Sequence, residues 1–226
     1  MEYKNITEGR FVNRPNRFIA KVIVEDTEHT VHVKNTGRCR ELLVPGAKVF
    51  LEKSDNSQRK TQYDLISVYK GGILVNMDSQ APNKAVYEWL CGGGFLKSPE
   101  LIKPEAAFGS SRLDFYIENK NEKAFVEVKG VTLEADGTAK FPDAPTERGR
   151  KHLGELIKAR QQGYRAAAVF VIQMKGCKCF MPNTERDPDF SKELKRAYEN
   201  GVEIIAVDCN VTPDSMNIDE RIEVLL

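Results

Sequence analysis

Residues 111–129, SRLDFYIENKNEKAFVEVK, can fold in few ways. Leu113, Phe115 and Ile117 alternate with Asp114, Tyr116 and Glu118, while Ala124, Val126 and Val128 alternate with Phe125, Glu127 and Lys129. This is the period of two strands with two distinct faces. Residues 119–122 supply turn chemistry, so the spacing predicts a hairpin pairing Glu118 with Lys123, Ile117 with Ala124, Tyr116 with Phe125, Phe115 with Val126, Asp114 with Glu127 and Leu113 with Val128. One face is then wholly apolar. The other carries an opposite-charge pair beside the turn, an aromatic pair next, and then two carboxylates side by side. A slip of one residue would scatter both faces.

Neighbouring carboxylates in a half-buried sheet share a proton, pair with a basic side chain, or bind a hard cation such as Mg²⁺. Lys129 lies two residues beyond Glu127 and points to the same face. It can neutralise the pair as a plain ion pair, or stabilise charge developing on a phosphate.

Before this hairpin the pattern is of strands and turns. Stretches 17–25, 29–35, AKVFLEKS, TQYDLISVYK and ILVNMD read as five short strands broken at Pro45-Gly46 and Gly71-Gly72. Five such strands suggest a small barrel of the OB-fold kind, a scaffold often used for single-stranded nucleic acid. From about residue 81 helix and strand alternate. KAVYEWLC reads as a helix followed by three glycines, and Thr146 can cap a second helix running to about Gln162. RAAAVFVIQM is a continuous apolar run, the mark of a strand covered on both faces, and FSKELKRAYENG is an amphipathic helix. The expectation is an α/β chain with a barrel domain over residues 1–80 and a mixed-sheet, restriction-endonuclease-like domain over residues 81–226.

Several stretches carry a more specific resemblance. An Asp, a hairpin, and then Glu-x-Lys, preceded by a helix bearing a Glu, resembles the metal site of the PD-(D/E)xK nucleases, with Leu113-Asp114 where Pro-Asp is usual. NTGRCRELLVPG, PNKAVYEWL, SRLDF, VEVKGVTL and the long irregular FPDAPTERGRKHLGEL together resemble the sugar fermentation stimulation protein A family over essentially the whole chain. The resemblance implies an N-terminal OB-fold, a C-terminal nuclease-like domain, DNA as partner and regulation of sugar-utilisation genes. Carried over residue by residue, it gives Asp114, Glu127 and Lys129 as the catalytic set. Glu88 is the helix carboxylate, and Asp114, Glu127 and Glu88 are ligands for Mg²⁺ or Mn²⁺.

A formal net charge of +1 means that DNA binding must rest on local clustering. Residues 1–80 hold 13 Lys or Arg against 10 Asp or Glu, and there Arg14, Arg17, Arg38 and Arg40 are the phosphate-binding candidates, with Phe11 and Phe18 as stacking platforms. The helix after Thr146 adds Arg148, Arg150 and Lys151. His152, one turn from Arg148, reads as a structural side chain. Five cysteines, an odd number, fit a reducing compartment, and Cys177 and Cys179 lack further ligands at zinc spacing. No apolar run approaches the length of a membrane helix, and the N-terminal stretch lacks the apolar core of a signal peptide, so a cytoplasmic location away from membranes is expected. No small-molecule cofactor is expected, and pairing as a homodimer is left open. Two functions follow: a DNA-binding regulator with a nuclease-like metal site, or an active Mg²⁺-dependent endo- or exonuclease.

Overall fold

Strand-forming sequence fills the first third of the chain in the computed structural model, which describes all 226 residues. Strands β1 (Ile6–Asn13), β2 (Ile19–Val24), β3 (Thr27–Val33), β4 (Lys48–Lys53) and β5 (Tyr63–Lys70) form a closed barrel. Antiparallel pairing runs from β3 through β2, β1 and β4 to β5, and a short parallel contact between β3 and β5 closes the ring. Val22, Val31, Val49, Leu51, Leu65 and Val68 fill its interior and are fully buried. The OB-fold expectation stands, with one change of strand: β1 was not anticipated, and β6 (Ile73–Asn76) lies outside the ring as an extension of β5. ITEGRFVN hides its strand because Gly9 interrupts the alternation. A side chain there would meet Val22 Cγ1 at 2.6 Å and Ile23 O at 3.0 Å, so the close approach of β1 to β2 requires glycine.

Beyond α1 (Ala81–Cys91) come β7 (Leu101–Phe108), β8 (Ser111–Glu118), β9 (Lys123–Val131), β10 (Glu134–Ala135) and β11 (Thr138–Phe141). The chain continues through α2 (Glu147–Gln161), β12 (Arg165–Ile172), β13 (Cys179–Pro182), α3 (Pro188–Glu199), β14 (Glu203–Thr212) and β15 (Ser215–Val224). Nine strands form one mixed sheet in the order β10-β11-β13-β15-β14-β12-β9-β8-β7, with β12 parallel to both β9 and β14. The apolar run of β12 serves two layers, as its sequence predicts. Ala167, Val169 and Val171 pack with Ala85, Val86 and Leu90 of α1, whereas Ala168 and Phe170 pack with Leu153 and Leu156 of α2 and Phe190 of α3. The edge strand β7 escaped the sequence reading because LIKPEAAF contains Pro104, which only an edge tolerates.

Side-chain caps set where α2 and α3 begin. Thr146 Oγ1 accepts from Gly149 N at 3.0 Å, and Asp187 Oδ1 accepts from Phe190 N at 2.9 Å. The barrel joins the mixed sheet through buried polar groups: Gln173, just past β12, accepts at its backbone O from Asn76 N at 2.9 Å and donates from Nε2 to Asn76 O and Asp78 O, each at 3.1 Å. No helix is long and apolar enough to cross a membrane.

Candidate active site

The hairpin of β8 and β9 has the register its spacing predicts, from Glu118–Lys123 through Ile117–Ala124 and Tyr116–Phe125 to Phe115–Val126. There the ladder stops. The expected pairs Asp114–Glu127 and Leu113–Val128 do not form, because the Asp114 side chain takes over a backbone donor: its Oδ2 accepts from Val128 N at 2.7 Å. On the other side, β7 pairs with β8 at Pro104–Phe115 and again at Ala106–Leu113, skipping Asp114 and Glu105, whose φ is +51°. Asp114 thus sits where both ladders open. Leu113 turns into the α2-side core while Phe115 stays on the α1 side, so the apolar face is not continuous as expected. Asp114 Oδ1 accepts from Asn83 Nδ2 of α1 at 2.9 Å. Burial, and then the neighbouring Glu127 charge, push the Asp114 carboxyl above the usual range.

Glu127 is only 2% exposed. Its Oε1 receives both Lys129 Nζ and His152 Nδ1 in short contacts, and its Oε2 is buried with no partner. Burial would raise this carboxyl, but the His152 hydrogen bond and the Lys129 charge outweigh it and hold the group below its ordinary value. His152 is therefore more than the structural histidine expected: α2 carries it onto Glu127, and its Nε2 lies 3.5 Å from Arg148 Nε.

The donor set suits a hard cation. A buried carboxylate oxygen without a partner, beside a second carboxylate whose ionisation it disfavours, is the electrostatic arrangement that a doubly positive ion relieves, and oxygen-only ligation is what Mg²⁺ and its relatives prefer. Asp114 and Glu127 could hold such an ion, with Lys129 supplying a further positive charge.

Glu88 does not join them. It is exposed, and its Oε2 binds the Met1 ammonium at 2.6 Å. Asn83 reaches Asp114 from the same helix, and five residues correspond to about 140° of rotation, which turns Glu88 away. Asn83 gave no sequence signal beyond its place in PNKAVYEWL. The acidic trio Asp208, Asp219 and Glu220 is a separate cluster whose charge is met by Lys175, at 2.9, 2.7 and 3.2 Å. A concavity of about 460 Å³ lies by the hairpin turn at residues 118–123 and holds none of these groups.

The basic candidates divide. Arg14 is taken by the barrel itself: its guanidinium donates to the carbonyls of Arg17, Asn35, Gly37 and Arg38 at 2.6–2.9 Å. Arg150 ties α2 to Asp187 at 3.0 Å, locking the cap of α3. The fold thus uses four N–H donors of Arg14 and the Nη1 of Arg150, where the sequence expectation gave both side chains to phosphate. Arg17, Arg38, Arg40, Arg148 and Lys151 are exposed, Lys151 reaching Ser110 O at 3.1 Å. Phe18 is 54% exposed, with the Arg17 guanidinium 5.8 Å from its ring centre, but Phe11 is 3% exposed and belongs to the core.

Comparison with known proteins agrees with this architecture. Residues 12–77 match the SfsA N-terminal OB domain, and residues 80–215 match the sugar fermentation stimulation protein RE domain. A sugar fermentation stimulation protein homolog of Clostridium beijerinckii is 56% identical over 226 residues, all of both chains, and one of Ruminiclostridium cellulolyticum is 52% identical over the same span. The solved structure of Pyrococcus furiosus SfsA in complex with Ca²⁺ is similar at a TM-score of 0.90 and 30% identity, covering 100% of this chain and 98% of that one.

Proposed function

Since the chain belongs to the sugar fermentation stimulation protein family and keeps two carboxylates and a lysine at the break in its β8–β9 ladder, we propose that it hydrolyses DNA phosphodiester bonds with a divalent ion. The observation that carries this reading is Glu127 Oε2, buried and unpartnered beside Asp114. Asn83 and the Val128 amide orient Asp114, while His152 and Lys129 fix Oε1 of Glu127 and leave Oε2 for the ion. An ion of this kind, when bound, lowers the pKa of water and neutralises phosphate charge. Lys129, half-buried, supplies a fixed positive charge for the negative charge that develops as the bond breaks. Arg148 and Lys151, exposed on the same helix as His152, position the backbone without reading bases. The Ca²⁺ described for the Pyrococcus furiosus relative supports an oxygen-ligated divalent ion; Mg²⁺ or Mn²⁺ is our choice for catalysis. All five cysteines are unpaired, which supports a cytoplasmic setting.

A second reading keeps the DNA and drops the cutting, leaving a regulator of sugar-utilisation genes. It is favoured by the hydrogen bonds that both Asp114 oxygens and Glu127 Oε1 already accept, which let the acids persist as structure. Incubating the purified protein with single-stranded, duplex and branched DNA in Mg²⁺ or Mn²⁺ separates the two. Hydrolysis predicts cleavage that falls about a hundredfold or more in Asp114→Asn and Lys129→Met. Cleavage of none of these substrates, or equal cleavage by Asp114→Ala, would leave only the binding reading.

A further inference from the structure

Two irregular motifs take no part in the acidic site: Asn35-Thr36-Gly37, which follows β3, and Lys140-Phe141-Pro142-Asp143, which ends β11. They face each other. A cleft of about 190 Å³ lies between the barrel and the mixed sheet, walled by residues 35–37 and Ser79 on one side and by residues 130–133, Lys140, Phe141, Asp143 and Gln173 on the other. Gly130 in its lining follows Lys129 directly on β9 but faces the other side of the strand, so the cleft lies one residue along β9 from the proposed reaction centre. We propose that this cleft receives one unpaired nucleotide of the DNA strand, its base turned out of the stack. The inference rests on the hydrolytic or binding reading of the neighbouring site and names its substrate class as DNA with an unpaired or extrudable base.

Three features make the cleft a built receptor for a flat polar group. The backbone is bare on both walls: a Cβ on Gly37 would lie 2.9 Å from Asp143 Oδ2 and 2.9 Å from Asn35 Oδ1, and one on Gly130 would lie 2.6 Å from Gln173 Oε1. At both positions glycine makes room for the chain's own Asn35, Asp143 and Gln173 oxygens, which lie directly against the backbone lining the cleft. The barrel wall is also held rigid before anything binds, because Arg14 bonds four carbonyls around it and Asn35 Oδ1 accepts from Gly37 N at 2.8 Å. Rigid walls lower the ordering cost of binding.

The third feature is the set of groups left over. Asn35 Nδ2 donates to Met77 O and Gln173 Nε2 to Asn76 and Asp78, so the deep polar groups serve the fold. Thr36 Oγ1, Lys140 Nζ and the Asp143 carboxylate make no hydrogen bond or ion pair within the chain. Donor and acceptor groups around a slot are what an extruded base needs for edge contacts, while the Phe141 ring itself packs inward on Phe170 and Phe190. Exposed Arg38 at the rim meets the phosphate charge that accompanies it.

The test uses the full chain and oligonucleotides carrying 2-aminopurine at one position, with Ca²⁺ as the divalent ion. Titration into single strands, and into duplexes with and without a mismatch at the probe, reads affinity and base environment together. The expected result is a fluorescence change at one probe position, with single-stranded and mismatched DNA bound more tightly than perfect duplex. Asp143→Ala and Lys140→Ala, both at accessible positions, should each weaken that preference about tenfold, the worth of a lost base-edge contact. They should leave the salt slope of duplex binding unchanged. Binding and cleavage of DNA with a silent probe, or with a preference indifferent to both variants, would overturn the cleft and leave the acidic site standing. Failure to bind any DNA would overturn both.

Discussion

A divalent ion held by Asp114 and Glu127 must stabilise the folded chain, because β8 and β9 bring the two ligands together only on folding. At an ion concentration about a hundred times its dissociation constant, linkage gives about 2.7 kcal/mol. For a chain of 226 residues each kcal/mol moves the melting temperature by about 2–4 °C, so replacing EDTA by saturating Mn²⁺ should raise it by about 5–11 °C. Asp114→Asn should erase the shift without harming the apo fold. Both Asp114 oxygens accept hydrogen bonds, from Val128 N and Asn83 Nδ2. An asparagine can keep the first through its carbonyl and give its amide to Asn83 once that side chain flips. It also removes a charge that burial and Glu127 disfavour, so at neutral pH the metal-free variant should melt at or above the wild type. The pH dependence has a definite sign. With the folded Asp114 pKa raised, its contribution is present below the ordinary carboxylate value and is lost as pH climbs through the raised one. The variant's advantage therefore vanishes in acid. Scanning calorimetry with EDTA, Mg²⁺, Mn²⁺ and Ca²⁺ measures all of this. An equal ion shift in wild type and Asp114→Asn, or no shift in wild type with any ion, would refute the assignment.

In the barrel, burial pushes Asp64 up, but Arg59, Lys34 and His32 overcome it and bring its pKa to about 2. Asp64→Asn should therefore cost about 2 kcal/mol at pH 7, a loss that fades as pH falls through the interval from 3.8 to about 2, measured by urea unfolding. Arg150→Ala should lower stability by about 1–3 kcal/mol through its bond to Asp187 and leave the salt dependence of DNA binding alone. Arg148→Ala or Lys151→Ala should instead flatten that slope by about one, as seen by fluorescence anisotropy at several salt concentrations. Gly9→Ala should destabilise the barrel by about 1–3 kcal/mol, since the new methyl meets Val22, and a thermal melt reads it.

The parts legible in the sequence were those where one pattern has one solution. Period-two alternation fixed the hairpin register as far as Phe115–Val126, Thr146 announced α2, and the run from Arg165 announced a strand buried on both faces. What escaped depended on contacts between distant segments. Gly9 disguised β1, and Pro104 disguised an edge strand. At the site, alternation placed Asp114 beside Glu127 as ladder neighbours. The structure opens the ladder there because a carboxylate can accept the Val128 amide in place of a backbone carbonyl. His152 and Asn83 reach the acids from helices on opposite faces of the sheet, an approach that no spacing within either helix encodes. Arg14 and Arg150 look like phosphate ligands in a sequence, yet carbonyls in one case and Asp187 in the other use the same donors.

The most direct measurement is anomalous scattering from crystals soaked in Mn²⁺. The account predicts a single strong peak in contact with Asp114 and with Glu127 Oε2, absent in Asp114→Asn crystals. A protein that shows no density there, or binds manganese only at Asp208, Asp219 and Glu220 after displacing Lys175, would contradict it.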